Sequence, residues 1–464
     1  MRWAALVLAL LSAGCAASTV QPALPAGEPQ AAVPFAGEPL VQDHDHNDPS
    51  LHNASLNLRL LSRVIPYGNG TAWGQGSINE IAFSGNLIFV SRSNPEGGFA
   101  VVDATDLRHP QVIGDFHAEG GADIEVTSDG AYALLMTQRT TPGAQTLDSP
   151  ATREVRGIDV VDVRDPAHPS LSSFLPLPTN GPHTASYRLL PDGREVVAIE
   201  TYDLVTDPTT GAIAGASPAT QRVYLALLAR DSLGAHLQIQ GVYQVTDPAP
   251  PGKLYFPHDS FIEPQKDGRV LMYVAYWDAG VRIVDITDLS QPKEIASYRD
   301  FAPSALAQMH DVRTFPAPVA GKHVLAAAPE IITAPETGQV TFVDVTDPAK
   351  PTKLGRWGIP GNLTVDKPYD FSPHVFDTDA RGRLVIGHYH AGVWLVDASD
   401  PTDPVTLGFY LPHETRPGFT GMVPDVWAAK FFHGHVVASD QGTGLYILEA
   451  APGLLDPLPP GVIP

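Results

Sequence analysis

Cysteine is almost absent: Cys15 is the only one in 464 residues. A chain with one thiol forms no internal disulfide and builds no multi-cysteine metal site. Its stability must come from packing. Basic residues are scarce as well, 29 Lys and Arg against 51 Asp and Glu, which gives a formal net charge of −22. That balance argues against nucleic acid or an anionic membrane surface as a partner. Long stretches of helical periodicity are missing. So are a Gly-x-Ser-x-Gly elbow, a phosphate-binding glycine loop and a zinc-protease helix motif, and nothing marks out a serine nucleophile.

What is present is punctuation. With 41 glycines and 45 prolines the chain turns often. Short alternating apolar runs bounded by Gly, Pro, Asn and Asp read as an all-β protein. One phrase recurs, clearest in Val281-Arg-Ile-Val-Asp285-Ile-Thr-Asp288-Leu-Ser-Gln-Pro292. An apolar strand ends in Asp, a second Asp follows at +3 and a Pro at +7. The same frame occurs at Asp103/Asp106/Pro110, Asp162/Asp165/Pro169, Asp344/Asp347/Pro351 and Asp397/Asp400/Pro404. Asp at such a position accepts backbone N–H bonds within the following turn and Pro fixes φ beyond it, so these acids are read as turn formers before metal ligands.

A degenerate copy with Leu228 at the anchor and Asp231 at +3, and a last copy ending in Glu449, bring the count to seven, at intervals of 52 to 66 residues. Each unit reads as a strand, a tight turn, a second strand, a loop, the phrase strand, the Asp/Pro turn and a fourth strand. The tight turns fall at Gly85, Gly130, Gly193, Gly268, Gly321, Gly382 and Gly434. The strand near Leu56–Pro66 has no phrase before it, and the last phrase strand, Leu445–Glu449, has none after it. Joining the two closes a ring and removes an open sheet edge. The fold expected is all-β: a seven-bladed β-propeller of four-stranded blades over residues 56–452, closed by an N-terminal strand, with a C-terminal tail at 453–464.

Phe99-Ala-Val-Val-Asp103, Val281-Arg-Ile-Val-Asp285 and Val393-Trp-Leu-Val-Asp397 resemble the LVIVD repeat. The resemblance implies an exported bacterial or archaeal β-propeller. It brings a fold and no single reaction.

In such a ring the first strands start, and the second strands end, around one mouth of the central channel. Strand one opens with His183, His258-Asp259, His310-Asp311 and His374 in four blades, with Asn79-Glu80, Asp123 and Asp425 in the others. On the returning strands stand Glu200, Asp278, Glu330, His388, His390 and Asp440. Neutral imidazoles with carboxylates suit Cu, Zn, Fe or Mn. The candidate ligands of a divalent transition metal are therefore His183, His258, His310, His374, His388, His390, Asp259 and Asp311, with Glu330 as candidate general base. An ion would sit off the axis, near His258, His310 and His374. The plainer reading gives each histidine a hydrogen bond to a neighbouring blade. Tyr202, Tyr276, Trp277, Tyr389 and Trp427 fall near the same mouth, where they either frame a ligand or pack between blades. His109, His168, His433 and His435 read as surface residues.

Met1-Arg2, the apolar Trp3–Leu11 and the small residues Ser12–Ala17 form an export signal over residues 1–17. The apolar run is too short to anchor in a bilayer. Leu11-Ser-Ala-Gly-Cys15 resembles a lipobox with its Leu one place early, so lipidation of Cys15 and ordinary cleavage near Ala17 both stand. Residues 18–55 read as a flexible linker. Within it, Asp43-His-Asp-His46-Asn-Asp48 with His52 is either a solvated segment or a metal-binding arm. The expectation is an exported monomer in the periplasm, at the cell surface or anchored to the outer membrane. It would bind a protein or small-molecule ligand and touch the membrane only through a lipid. The alternative is a metal-dependent oxidoreductase or hydrolase.

Overall fold

In the computed structural model the described residues are 55–66, 77–93, 97–118, 120–137, 156–177, 181–206, 213–216, 220–301, 307–331, 338–359, 371–414 and 423–455. Contacts divide the chain into Met1–Ala36 and Gly37–Pro464, and every described residue belongs to the second unit. The export signal with Cys15 and the Asp43–His52 segment lie outside the described residues. So does most of the extra loop length expected near Thr140–Arg156 and Thr206–Thr220.

The described strands form seven four-stranded antiparallel sheets, with a fifth strand on one of them and a separate short hairpin, Leu204–Thr206 with Ile213–Ala216. Blade 4 shows the pattern: Asp259–Pro264, Val270–Ala275, Val281–Asp285 and Lys293–Tyr298, each paired with the next. The first strands of the seven blades are Ile78–Ser84, Asp123–Val126, Pro182–Leu189, Asp259–Pro264, Met309–Thr314, Phe376–Thr378 and Val426–Phe432. Each touches the next, and the seventh touches the first. The β-propeller expectation is met, with these seven strands around the axis.

The recurring phrase builds the third strand of each blade. Val281-Arg-Ile-Val is buried on both faces, because a neighbouring blade covers each side of the sheet. Ile283 packs with Leu325 and Val343 of blade 5, and Val284 packs with Val196 and Leu225 of blade 3. Burying such a side chain is worth about 1.5–3 kcal/mol. Arg282, 3% exposed, reaches Glu294 at 3.0 Å.

The Asp residues are turn formers, as expected. Asp285 Oδ1 accepts the Thr287 N–H at 3.0 Å and Asp288 Oδ1 accepts the Ser290 N–H at 3.0 Å. The same double bond recurs at Asp103/Asp106, Asp162/Asp165, Asp344/Asp347 and Asp397/Asp400. The degenerate copy keeps half of it, Asp231 Oδ1 to Leu233 N at 2.7 Å. The seven tight-turn glycines all have positive φ, between 57° and 90°.

Ring closure uses Leu58–Val64, which pairs with Gly444–Ala450 as the fourth strand of blade 7. The segment expected as one strand is split at Asn57. Before it, Ser55–Leu56 adds to the outer edge of blade 6. Asn57 takes φ 56°, a left-handed conformation that Asn tolerates better than most residues, and its Nδ2 donates to Leu407 O at 2.6 Å. The expected C-terminal tail begins inside the core, where Leu454 and Leu455 join the buried cluster of blades 6 and 7.

Candidate metal centre

Four consecutive blades bring four imidazoles together. His183 and His310 lie within the first strands of blades 3 and 5, and His258 and His374 just before those of blades 4 and 6. The His258 N–H donates to Ala275 O and the His374 N–H to Gly387 O, both at 2.8 Å, which ties each backbone to the second strand of its own blade. Successive ring centroids stand 4.3, 4.0 and 3.9 Å apart along His183, His258, His310 and His374. Glu330, at the end of the second strand of blade 5, closes the group. Its Oε2 is 4.0 Å from His310 Nε2 and its Oε1 4.0 Å from His374 Nε2.

Ligand atoms of His258, His310 and Glu330 lie within 4.8 Å of one another, so this trio could hold a metal ion. Metal–ligand bonds of about 2.0–2.1 Å put tetrahedral donors about 3.3 Å apart, so a small contraction suffices. The ring nitrogens also suit the task. Burial holds all four imidazoles below the usual histidine range, His183 at about 4 and His374 at about 3. His258 and His310 lie well below it, by burial first and then by neighbouring imidazoles. Neutral rings offer lone pairs with no proton to displace at neutral pH. The His374 Nδ1 faces Trp427 O at 2.9 Å; a carbonyl only accepts, so Nδ1 carries the proton and Nε2 presents its lone pair toward Glu330. The Nδ1 atom of His310 is buried without a hydrogen-bond partner. An orphaned buried polar atom costs about 1–3 kcal/mol, a cost that a site built to coordinate recovers. The plainer reading, a neighbour's backbone for each histidine, holds for His374 Nδ1. His183 and His258 instead face each other, Nε2 to Nε2, at 2.9 Å.

The remaining candidates have other surroundings. Asp311 Oδ2 accepts the Phe376 N–H of the next blade at 3.1 Å. Asp123 does the same to Ala185 and Asp377 to Phe431, so these carboxylates stitch one inner strand to the next. Burial pushes the Asp311 carboxyl up to about 6. Asp259 Oδ1 accepts the Ser260 N–H at 2.6 Å and lines the channel beyond the imidazoles. His388 is fully buried edge-on to Trp357, with ring centroids 6.5 Å apart, and burial lowers it to about 3. His390, 5% exposed, sits in the adjoining turn and is not part of the trio. Glu330 stands among the ligands themselves.

Of the six groups expected to reach the mouth from the returning strands, Glu330 is the one in the trio. Glu200 is fully buried. Asp278 Oδ2 accepts the Leu254 N–H at 2.9 Å, and Asp440 accepts the N–H groups of Asp425, Gly442 and Thr443. The positions that meet the imidazoles are Tyr202, Trp277, Glu330 and Tyr389. His183 lies 5.0 Å from Tyr202, His258 stacks 5.5 Å from Trp277, and His374 lies 4.8 Å from Tyr389 and 4.0 Å from Trp427, ring to ring. Phe256, which sequence reasoning missed, stacks between Tyr202 and Trp277. Tyr276 turns inward instead, its hydroxyl donating to Gln221 O at 3.1 Å. His433, expected at the surface, is exposed and faces Gly85 O at 2.9 Å, on the hairpin of blade 1.

Beyond the imidazoles the channel opens into a cavity of about 250 Å³, lined by all four histidines and by Glu80, Asp123, Glu125, Asp259, Arg313 and Lys430 among others. Lys430 Nζ pairs with Glu80 at 2.7 Å. Burial raises the Glu125 carboxyl to about 7.

Residues 271–300, the second to fourth strands of blade 4, match the LVIVD repeat family. No curated protein matches the chain.

Proposed function

We propose that this chain is an exported binding protein of the cell envelope, a β-propeller that holds a divalent transition metal at one mouth of its channel. The observation that carries the reading is the trio of buried His258 and His310 with half-buried Glu330, flanked by two more neutral imidazoles. A nitrogen and oxygen donor set without thiolate suits Zn, Cu(II), Fe or Mn and disfavours Cu(I). Export, with Cys15 as the point of lipid attachment where it is used, rests on the N-terminal segment alone. The LVIVD repeat and the propeller support a binding role, since the ring presents side chains from several blades to one ligand.

The test is metal analysis of the mature chain purified under several conditions. One equivalent of a transition metal is expected, and His258→Ala/His310→Ala should lower it to background while far-ultraviolet circular dichroism stays unchanged. A metal-free wild type after reconstitution with each of Zn, Cu, Fe and Mn overturns the reading and leaves a scaffold that binds proteins.

A metalloenzyme is the second reading, favoured by one observation. Three protein ligands of the His₂Glu type leave a coordination position open, and Glu125, with its carboxyl near 7, lines the same cavity as a proton acceptor matched to neutral pH. Glu330, the sequence candidate for that role, serves in this reading as a ligand.

A further inference from the structure

Glu330 has two oxygens with different neighbours. Oε1 accepts the Tyr389 hydroxyl at 2.5 Å, and it is also the oxygen nearest His374; Oε2 is the one that faces His310. Tyr389 is 8% exposed and belongs to the turn that ends the second strand of blade 6. That turn is unusual in its backbone. Tyr389 has φ 40°, in the left-handed region that non-glycine residues seldom enter. Its backbone is fixed from outside, since its N–H donates to Val426 O at 3.0 Å and its carbonyl accepts the Val426 N–H at 3.1 Å, both in blade 7. In blade 4 the matching turn holds Trp277 at φ 37°, with its carbonyl accepting the Met309 N–H of blade 5 at 3.1 Å. The two aromatic residues bracket the imidazole group, Trp277 over His258 and Tyr389 against His374. Only Tyr389 is bonded to a candidate metal ligand. Non-glycine residues are held in such conformations where the surrounding structure over-determines them, and these cluster at ligand sites.

We propose that Tyr389 is a positioning residue that keeps Glu330 a one-oxygen ligand, and that the coordination position thereby left open takes a small monodentate ligand, water or an inorganic anion, from the channel side. This rests on the metal reading above. With Oε1 bonded to the phenol, Oε2 is the oxygen presented beside His310. A carboxylate freed of that bond can turn and chelate through both oxygens, filling the position a small ligand would use. The channel side fits such a ligand. The cavity reaches His258 and His310, and its 250 Å³ is below the range of sites that take drug-sized molecules. Arg313 lines it with its Nε buried and without a hydrogen-bond partner, a donor that water or one small anion can meet among the surrounding carboxyl groups.

The experiment uses the mature full-length chain loaded with Co²⁺, whose visible absorption reports coordination number, and titrates it with azide. The wild type is expected to bind one Co²⁺ and to show a saturable azide-dependent change in its visible bands. Tyr389→Phe removes one oxygen and is expected to weaken Co²⁺ binding about 10–100-fold, the range for losing a bond to a metal ligand's outer atom. It should also lower band intensity, as coordination number rises, and abolish the azide response. Trp277→Phe, at the matching turn but without a bond to Glu330, should leave the azide response intact. If Tyr389→Phe does not fold, Tyr389→Trp replaces it, since blade 4 accommodates Trp in the same turn. Equal Co²⁺ affinity and an unchanged azide titration in the Tyr389 variant overturn the proposal while the metal reading stands. A wild type that takes up no Co²⁺ overturns both.

Discussion

Glu200 is a carboxyl group with nowhere to put a charge. It is fully buried, with Oε2 accepting the Thr184 hydroxyl at 3.3 Å and the Ser260 hydroxyl close by. Burial raises its carboxyl to about 8, so the folded chain keeps the proton at neutral pH. An unfolded Glu titrates near 4.3. A folded value raised above the unfolded one gives a contribution that is complete below about pH 4.3 and is lost as pH climbs through about 8. Glu200→Gln keeps the shape and has no proton to lose. Between pH 4 and pH 9 the stability of the variant relative to wild type should rise, by on the order of 3–5 kcal/mol. Urea midpoints across that range measure it, and parallel curves for the two proteins would rule it out. The buried imidazoles act in the opposite sense. Their lowered values make the folded state resist protonation, so each removes stability as pH falls below about 6.5.

At the scale of strands and turns, the recurring Asp/Asp/Pro phrase also serves the neighbouring blade. The residue at +4 from the anchor Asp, such as Pro166, Leu289 or Pro401, lies against a glycine in the fourth strand of the preceding blade. A Cβ at Gly114 would meet Pro166 O at 1.9 Å, one at Gly241 would meet Leu289 O at 2.0 Å, and one at Gly355 would meet Pro401 O at 2.4 Å. Those obstacles are backbone carbonyls and cannot swing aside. Gly355→Val should therefore cost about 1–3 kcal/mol by overpacking, whereas Thr352→Val on the exposed start of the same strand should stay within about 0.5 kcal/mol. Guanidinium midpoints distinguish these, and equal midpoints would show that the turn of blade 6 yields. Sequence reasoning passed over this contact, although Gly114, Ser173, Ala296, Gly355 and Gly408 all stand eleven places after their anchor Asp and are all small. The turns themselves were legible for a local reason, since each Asp bonds the N–H two residues on and needs no distant partner. The mouth of the channel was legible only in part. The histidines sit at the start of strand one, where the phrase sets the register. The ends of the second strands bend into left-handed turns at Trp277 and Tyr389, and a one-residue change of register exchanges the two faces of a strand. For that reason Trp277 and Tyr389 meet the imidazoles while Asp278 holds backbone.

At the scale of the ring, closure turns a linear spacing into a site. His183, His258, His310 and His374 are separated by 52 to 75 residues in the chain. They meet because the first strands of blades 3 to 6 each touch the next, in a ring that Leu58–Val64 completes at blade 7. The chain is acidic overall, and the inner strands hold carboxyl groups that burial raises, beside Arg313 and Lys430. A cation drawn to this molecule would find many carboxylates and, among the described residues, one group of clustered neutral imidazoles. The most direct test is therefore crystallographic: an anomalous difference map of the metal-loaded mature chain, collected above the absorption edge of the bound metal. The account predicts one dominant peak, about 2.0–2.2 Å from a ring nitrogen of His258, a ring nitrogen of His310 and an oxygen of Glu330. A peak at the exposed His433 and half-buried His435, or none at the imidazole group in a fully loaded crystal, would contradict it.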